Sequence, residues 1–376
     1  MILSRKKNIL LIIFFVAILL MPILDNIFNF SPIQNLFEKR FLASIPEKPR
    51  NVSEFAKYSK KFEEFFNDNY GFRKSLIFTN SQIMDNIFNE SPSSSALIGK
   101  DEWFYFDNQN SFLDAQGLAK LDDQKIALMV KSFIKNWQIL RAKNIDYLVV
   151  IAADKTSIYP EFLPDFIKIS NKEHRIDKFI NALKKDAPSF PVLDLRPFLK
   201  KAKKHEIIYH KTDTHWNKRG AYVGYSEIMQ KMNHLYLQRK HFVNVEGMMD
   251  DGDISYVIGI KAENIDYNLK ENFVPNFYSV NPTEADYRLF HKPAVYRNYN
   301  KNLPILFVYK DSFFDNMMEF FANNFSQSYF VNEFPCDLNI EIIQKYRANI
   351  VIQQFWEGRI EEVANECGLD KNILEN

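Results

Sequence analysis

Residues 147–152 and 304–309 are wholly apolar, and each run is bordered by a longer segment of helical periodicity. A short run with no polar face reads as a strand buried on both sides. Residues 191–195, 328–331 and 349–355 read as further strands. Helices are predicted over 173–185, 217–232 and 313–323, and over 121–143, where Ile126, Val130, Phe133, Ile134, Trp137 and Leu140 share one stripe. A last helix closes the chain. Strands alternating with helices predict an α/β fold, a parallel sheet flanked by helices on both faces. The rhythm lapses between residues 237 and 296, rich in Asn and Tyr, and this stretch is predicted as an irregular insertion beside the sheet.

The N-terminus sets the compartment. Arg5, Lys6 and Lys7 precede an apolar run from Ile9 to Leu24, broken only by Pro22 and ended by Asp25. A secretory signal wants a small-residue cleavage site after its apolar stretch. Here Met21, Pro22, Ile23 and Leu24 are mostly bulky, so an uncleaved anchor fits better than a cleaved signal. The basic flank stays on the cytoplasmic side. Either reading exports the rest of the chain. We expect three regions: an anchor or signal segment over 1–30, a stalk or helical linker over 31–94, and one domain over 95–376. In the stalk, Glu38 to Leu42 is followed by an amphipathic segment over 53–66, where Phe55, Tyr58, Phe62, Phe65 and Phe66 recur at helical spacing. Ser91-Pro92-Ser93-Ser94-Ser95 is the clearest linker.

The 376 residues are 46% hydrophobic and 25% charged, which excludes collagen-like, disulfide-scaffold and disordered classes. A net charge of +1 supplies no field that draws the chain to nucleic acid. The two cysteines, Cys336 and Cys367, fit no metal spacing. One bridge between them, or two free thiols, both remain open.

Two constellations can carry chemistry. In Tyr209-His210-Lys211-Thr212-Asp213-Thr214-His215-Trp216-Asn217, Asp213 and His215 stand two apart before a predicted helix. On an extended loop they face one side, so Asp213 can hold Nδ1 of His215 and leave Nε2 free as a base. Helix capping by Asp213 or Thr214 is the competing reading. A zinc site from His210, His215 and Asp213 is a third, without the usual helical spacing of two histidines. The second constellation is Tyr309-Lys310-Asp311-Ser312-Phe313, a sharp polar turn between an apolar strand and a helix. A serine there sits at the carboxyl end of a sheet strand, with the N–H of Phe313 as an oxyanion donor. An ordinary N-cap reads the same way.

Together the two constellations resemble the bacterial alginate O-acetyltransferase family, the AlgX/AlgJ-like SGNH hydrolase-like domains. The Asp-x-His element precedes the Asp-Ser element, a permuted order. Gly99-Lys100-Asp101-Glu102-Trp103-Phe104-Tyr105 is similar to that family's GK-x-GWLFY, with Glu102 where Gly is usual. Tyr159-Pro160-Glu161-Phe162-Leu163-Pro164 is similar to its YPEYLP, Tyr209 through Tyr222 to its YYRTDTHWNPRGAY, and Gly252-Asp253-Ile254 to its GDL. Asp311-Ser312-Phe313 matches DSF, with Lys310 where SGNH hydrolases carry Gly. The likeness runs from about residue 38 to 360.

The resemblance implies O-acyl transfer, most simply acetyl, onto an exported polysaccharide. Ser312 would be nucleophile, His215 base and Asp213 its orienter. Lys155, Asn217 and Arg297 are further oxyanion candidates beside Phe313. Trp216, Tyr209, Tyr159 and Phe313 could form a sugar platform, or simply pack in the core. The acyl donor would come from a polytopic membrane-bound O-acyltransferase, since cytoplasmic acyl-CoA does not cross a membrane. The expected location is the inner (cytoplasmic) membrane, single-pass, with the catalytic domain periplasmic or otherwise extracytoplasmic. No cofactor, metal or nucleic acid enters this reading. An exported carbohydrate acetylesterase on the same residues is the alternative, and a non-catalytic polysaccharide-binding or assembly module a third.

Overall fold

The computed structural model describes residues 2–31, 42–88, 91–93, 95–107, 109–170, 172–249, 252–260, 264–272 and 274–368. Residues 38–41 and Ser94, part of the stalk and linker motifs above, lie outside them. The chain forms two compact units. The first runs to Ala96 and includes the segment that starts at Asp253; the second begins at Leu97 and holds the remainder.

The first unit is helical. Helix Ile2–Phe28 contains the apolar stretch Lys7–Phe28, 22 residues almost entirely exposed. Helix Val52–Asn69 starts at Asn51, whose side chain accepts from Glu54 N. Helix Arg73–Ile83 follows after Gly71 and a left-handed Phe72 (φ 62°). Asp25 is buried and ties these ends together: its carboxylate accepts from Ser31 N and Phe72 N, both at 2.6 Å. Gly71 lies so close to the Pro22 carbonyl that a Cβ there would stand 2.0 Å from its oxygen. Only glycine fits that approach.

β1 (Ala96–Ile98) pairs with β2 (Phe104–Phe106). The main sheet is built from β3 (Asp146–Ala152), β4 (Val192–Asp194), β7 (Phe277–Val280), β8 (Ala294–Asn298), β9 (Ile305–Tyr309), β10 (Gln327–Val331) and β11 (Ile350–Trp356). Their order is β4-β3-β11-β9-β10-β8-β7. The first five are parallel neighbours. The other two are antiparallel, which makes the sheet mixed and corrects the wholly parallel expectation. β7 and most of β8 fall inside the stretch predicted as an irregular insertion. That stretch also holds the hairpin of β5 (Phe242–Met249) and β6 (Asn264–Glu271). Edge strands half-open to solvent lack the unbroken apolar run that marks buried ones, so their sequences read as loop.

Alternate residues of the central strands feed two cores. Leu148, Val150, Leu306, Val308, Ile350 and Ile352 pack with helices Arg196–Ala202 and Lys218–Lys231 on one face. Tyr147, Val149, Ile151, Phe307, Val351 and Phe355 pack with Asp123–Ala142, Arg175–Asp186 and Ile360–Gly368 on the other. The segment predicted as a helix over 313–323 is a 3₁₀ turn, Ser312–Met317, followed by a single α-turn, Met318–Ala322. Cys336 and Cys367 are joined in a disulfide, which decides the alternative left open by the sequence.

Candidate active site

The turns that follow β3, β9 and β11 lie at one edge of the sheet, the carboxyl end, where open α/β sheets place their ligands. Ser312 leaves the end of β9 and is exposed. Its turn is fixed from β11. Asp311 accepts from Gln354 Nε2 at 2.9 Å and from Trp356 N at 2.5 Å, and its own N–H donates to Gln354 Oε1 at 3.2 Å. Asp311 and Gln354 are buried, and burial pushes the Asp311 carboxyl up, against the lowering effect of these donors. A buried glutamine in a central strand is costly unless satisfied; here it clamps the residue before the serine. Lys310, buried beside it, ion-pairs with Asp315 at 2.5 Å.

The second element is a tight antiparallel turn closed by a Tyr209–Trp216 bridge and a His210 N–H donated to the His215 carbonyl at 3.2 Å. Inside it, Asp213 Oδ1 accepts from His215 N at 2.9 Å and lies 2.7 Å from Nδ1 of the same residue. Nε2 of His215 lies 2.7 Å from Ser312 Oγ. The imidazole rests on Phe313, with ring centres 4.8 Å apart. Asn316 Nδ2 donates to the Trp216 carbonyl at 3.1 Å, tying the two elements together. Gly252 presses on the same turn: a Cβ there would stand 2.4 Å from the carbonyl carbon and oxygen of Thr212.

Several residues singled out in the sequence have other work. The Phe313 N–H donates to Asp311 Oδ1 at 2.9 Å, so it is committed to the cap rather than free for an oxyanion. Lys155 is buried, and its Nζ donates to the carbonyls of Phe104 (2.9 Å) and Lys211 (3.1 Å). Asn217 is a buried N-cap, accepting from Arg219 N and Gly220 N. Arg297 sits opposite Gln327, which pairs with Ile305 at the far end of β9 from Ser312. Tyr159, Tyr209, Trp216 and Phe313 are all buried. They pack on one another and do not form an exposed sugar platform. His210 turns to Asp266, 3.4 Å from its Nδ1, rather than joining Asp213 and His215 as a third ligand. Burial lowers its pKa.

Sequence reasoning missed Gln354 as part of this edge. Glu357, buried after β11, accepts from Asp154 N at 2.6 Å and lies 3.5 Å from an Arg196 nitrogen. Burial pushes its carboxyl up to about 7, with the Asp154 carboxylate adding to the rise and Arg196 opposing it. The signal that could have found Gln354 is polarity inside an otherwise apolar central strand.

A serine at a strand's carboxyl end thus faces a histidine held by an aspartate, the geometry that serine-type acyl transfer requires. The chain belongs to the SGNH hydrolase-like acetyltransferase AlgX family, which matches residues 96–296. That match contains Asp213 and His215 and ends before Ser312. No curated protein matches the sequence. Among solved structures, the chain is similar in fold to Bacillus cereus PatB1, with TM-score 0.52 and 16% identity over 69% of this chain and 95% of that one. A DHHW family protein from Eubacterium siraeum gives TM-score 0.53 and 14% identity over 73% and 95%. The O-acetyltransferase domain of Pseudomonas putida AlgJ gives 0.49 and 14% over 75% and 97%.

Proposed function

We propose that this protein transfers an acyl group, most simply acetyl, onto hydroxyls of an exported polysaccharide through a Ser312 acyl-enzyme. The observation that carries the reading is the unbroken line from Asp213 through His215 to Ser312, each contact 2.7 Å. Asp213 fixes the tautomer of His215, so that Nε2 takes the Ser312 proton as Oγ attacks the donor's carbonyl. The leaving group departs with a proton returned by His215. An acceptor hydroxyl then gives its proton to His215 and attacks the acyl-serine, forming the new ester and restoring Oγ–H. With the Phe313 N–H committed to Asp311, the N–H of Ser312 itself is our oxyanion donor: it opens a helical turn and has no acceptor within it.

Helix Ile2–Phe28 serves in this reading as a single-pass anchor for residues 1–30, with 31–94 as the linking region and 95–376 as the exported acyltransferase domain. The Cys336–Cys367 disulfide suits an oxidising compartment. The anchor keeps the site near a polytopic O-acyltransferase of the same membrane, which would supply the acyl group. Because Ser312 is exposed, water also reaches the acyl-enzyme, so ester hydrolysis without acceptor belongs to the same site.

The test offers a chromogenic acetyl ester to the protein, with and without oligosaccharide, beside Ser312→Ala. We expect turnover in the wild type, a loss of about 10³-fold or more in the variant, and acetylated sugar when acceptor is present. Equal rates in both proteins would remove Ser312 as nucleophile. Acetate alone at every acceptor concentration would make the protein an esterase.

A further inference from the structure

Helix Val52–Asn69 carries an aromatic face whose Phe55, Phe62 and Phe66 are exposed, while Tyr58 and Phe65 are half-buried. Val52, Phe55, Phe62 and Phe66 are 92, 62, 41 and 52% exposed. The rings of Phe55, Tyr58, Phe62 and Phe65 follow one another at centre distances of 6.5, 5.9 and 6.1 Å. Helical periodicity puts Lys57, Lys60, Lys61 and Glu64 on the other side. A face of this size and make-up is costly in water: each phenyl ring left exposed forgoes about 1.5–3 kcal/mol of burial.

The placement of this helix says what covers it. Its last turn runs into Gly71 and Phe72, and these are the residues fastened to helix Ile2–Phe28. Gly71 touches the Pro22 carbonyl, and Phe72 N donates to Asp25, the residue that ends the apolar run. The aromatic face therefore continues from the exit end of the apolar helix. Aromatic side chains concentrate at the level where hydrocarbon gives way to headgroups. An amphipathic helix lying in that plane buries its apolar side about 5–10 Å deep.

We propose that helix Val52–Asn69 lies in the headgroup layer of the bilayer that helix Ile2–Phe28 crosses, with Phe55, Phe62 and Phe66 in lipid. The inference rests on the anchor reading above. The helix holds three lysines against four acids, so its attachment comes from apolar burial and not from anionic headgroups.

The experiment places the full chain in lipid nanodiscs carrying a phospholipid with a photoactivatable diazirine near its headgroup, and maps the adducts by mass spectrometry. We expect adducts on the face holding Phe55, Phe62 and Phe66 as well as on Lys7–Phe28, at equal yield in low and high salt. Substituting Phe55, Phe62 and Phe66 with serine should cut labelling of this helix by about tenfold and leave acetyl-ester turnover unchanged. Adducts on Lys7–Phe28 alone would overturn the proposal and leave the anchor intact; adducts on neither would overturn both. Phe62 replaced by p-benzoylphenylalanine and irradiated in cell membranes should label lipid. A protein adduct in its place would assign the face to a protein partner and overturn the lipid assignment.

Discussion

At the scale of single residues, the two-residue spacing of Asp213 and His215 was enough to foresee their contact, because local geometry places both on one side of the loop. The contact of His215 with Ser312, residues 97 positions apart, needed the fold. Replacing Asp213 with Asn keeps the shape and frees the wrong tautomer. We expect kcat on acetyl esters to fall by about 10³–10⁴-fold, with KM little changed, in steady-state kinetics. Gly252→Ala tests the same turn from behind. The added Cβ cannot share space with the Thr212 carbonyl, so the turn must move. Displacing Asp213 in this way should cost on the order of 100-fold in kcat, read beside an unchanged far-UV spectrum. The oxyanion and platform candidates misled for one reason: residue type says which groups could do a job, and only burial and hydrogen bonding say which are already occupied. Lys155 and Asn217 spend their donors on backbone carbonyls, and Asn217 spends its acceptor on a helix start.

At the scale of elements, the parallel strands were legible in the sequence, the edge strand β4 included, and the antiparallel ones were not. β3, β9 and β11 were legible from their apolar runs; β7 and β8, at the antiparallel edge, were not. The helix over 217–232 was found within one residue at each end because Asn217 is a strong cap followed by a long apolar stripe. Asn217→Ala should therefore cost about 1–2 kcal/mol in a denaturant titration. The disulfide is the other element-scale device. It ties the last helix to the segment after β10, across a sequence separation of 31. Chain-entropy reasoning gives about 3–4 kcal/mol for closing such a loop. Cys367→Ser should lower stability by that amount, and reductant should lower the wild type to the same level in calorimetry.

For the whole molecule, the buried acids at the carboxyl edge set how stability follows pH. The Glu357 carboxyl stands at about 7 in the fold against its ordinary value of 4.5, and burial raises Asp154 and Asp311 in the same direction. Between those two values the folded state binds more protons than the unfolded chain, so stability falls as pH rises through that window. We expect the Tm to drop between about pH 5 and pH 8, and Glu357→Gln to flatten that slope. The strand order bears on when such a molecule can exist at all. β11 is the last strand among the described residues, yet it lies inside the sheet, between β3 and β9. On the proposed reading of an exported chain, a polypeptide crossing from its N-terminus delivers this strand after all the other described ones. Until Ile350–Trp356 has emerged, the sheet is two separate halves, and Asp311 lacks the glutamine and backbone donors that set the nucleophile's turn. If the chain is exported and works as proposed, export and activation coincide: cut short before β11, it has its serine but not the donors that set the turn before it.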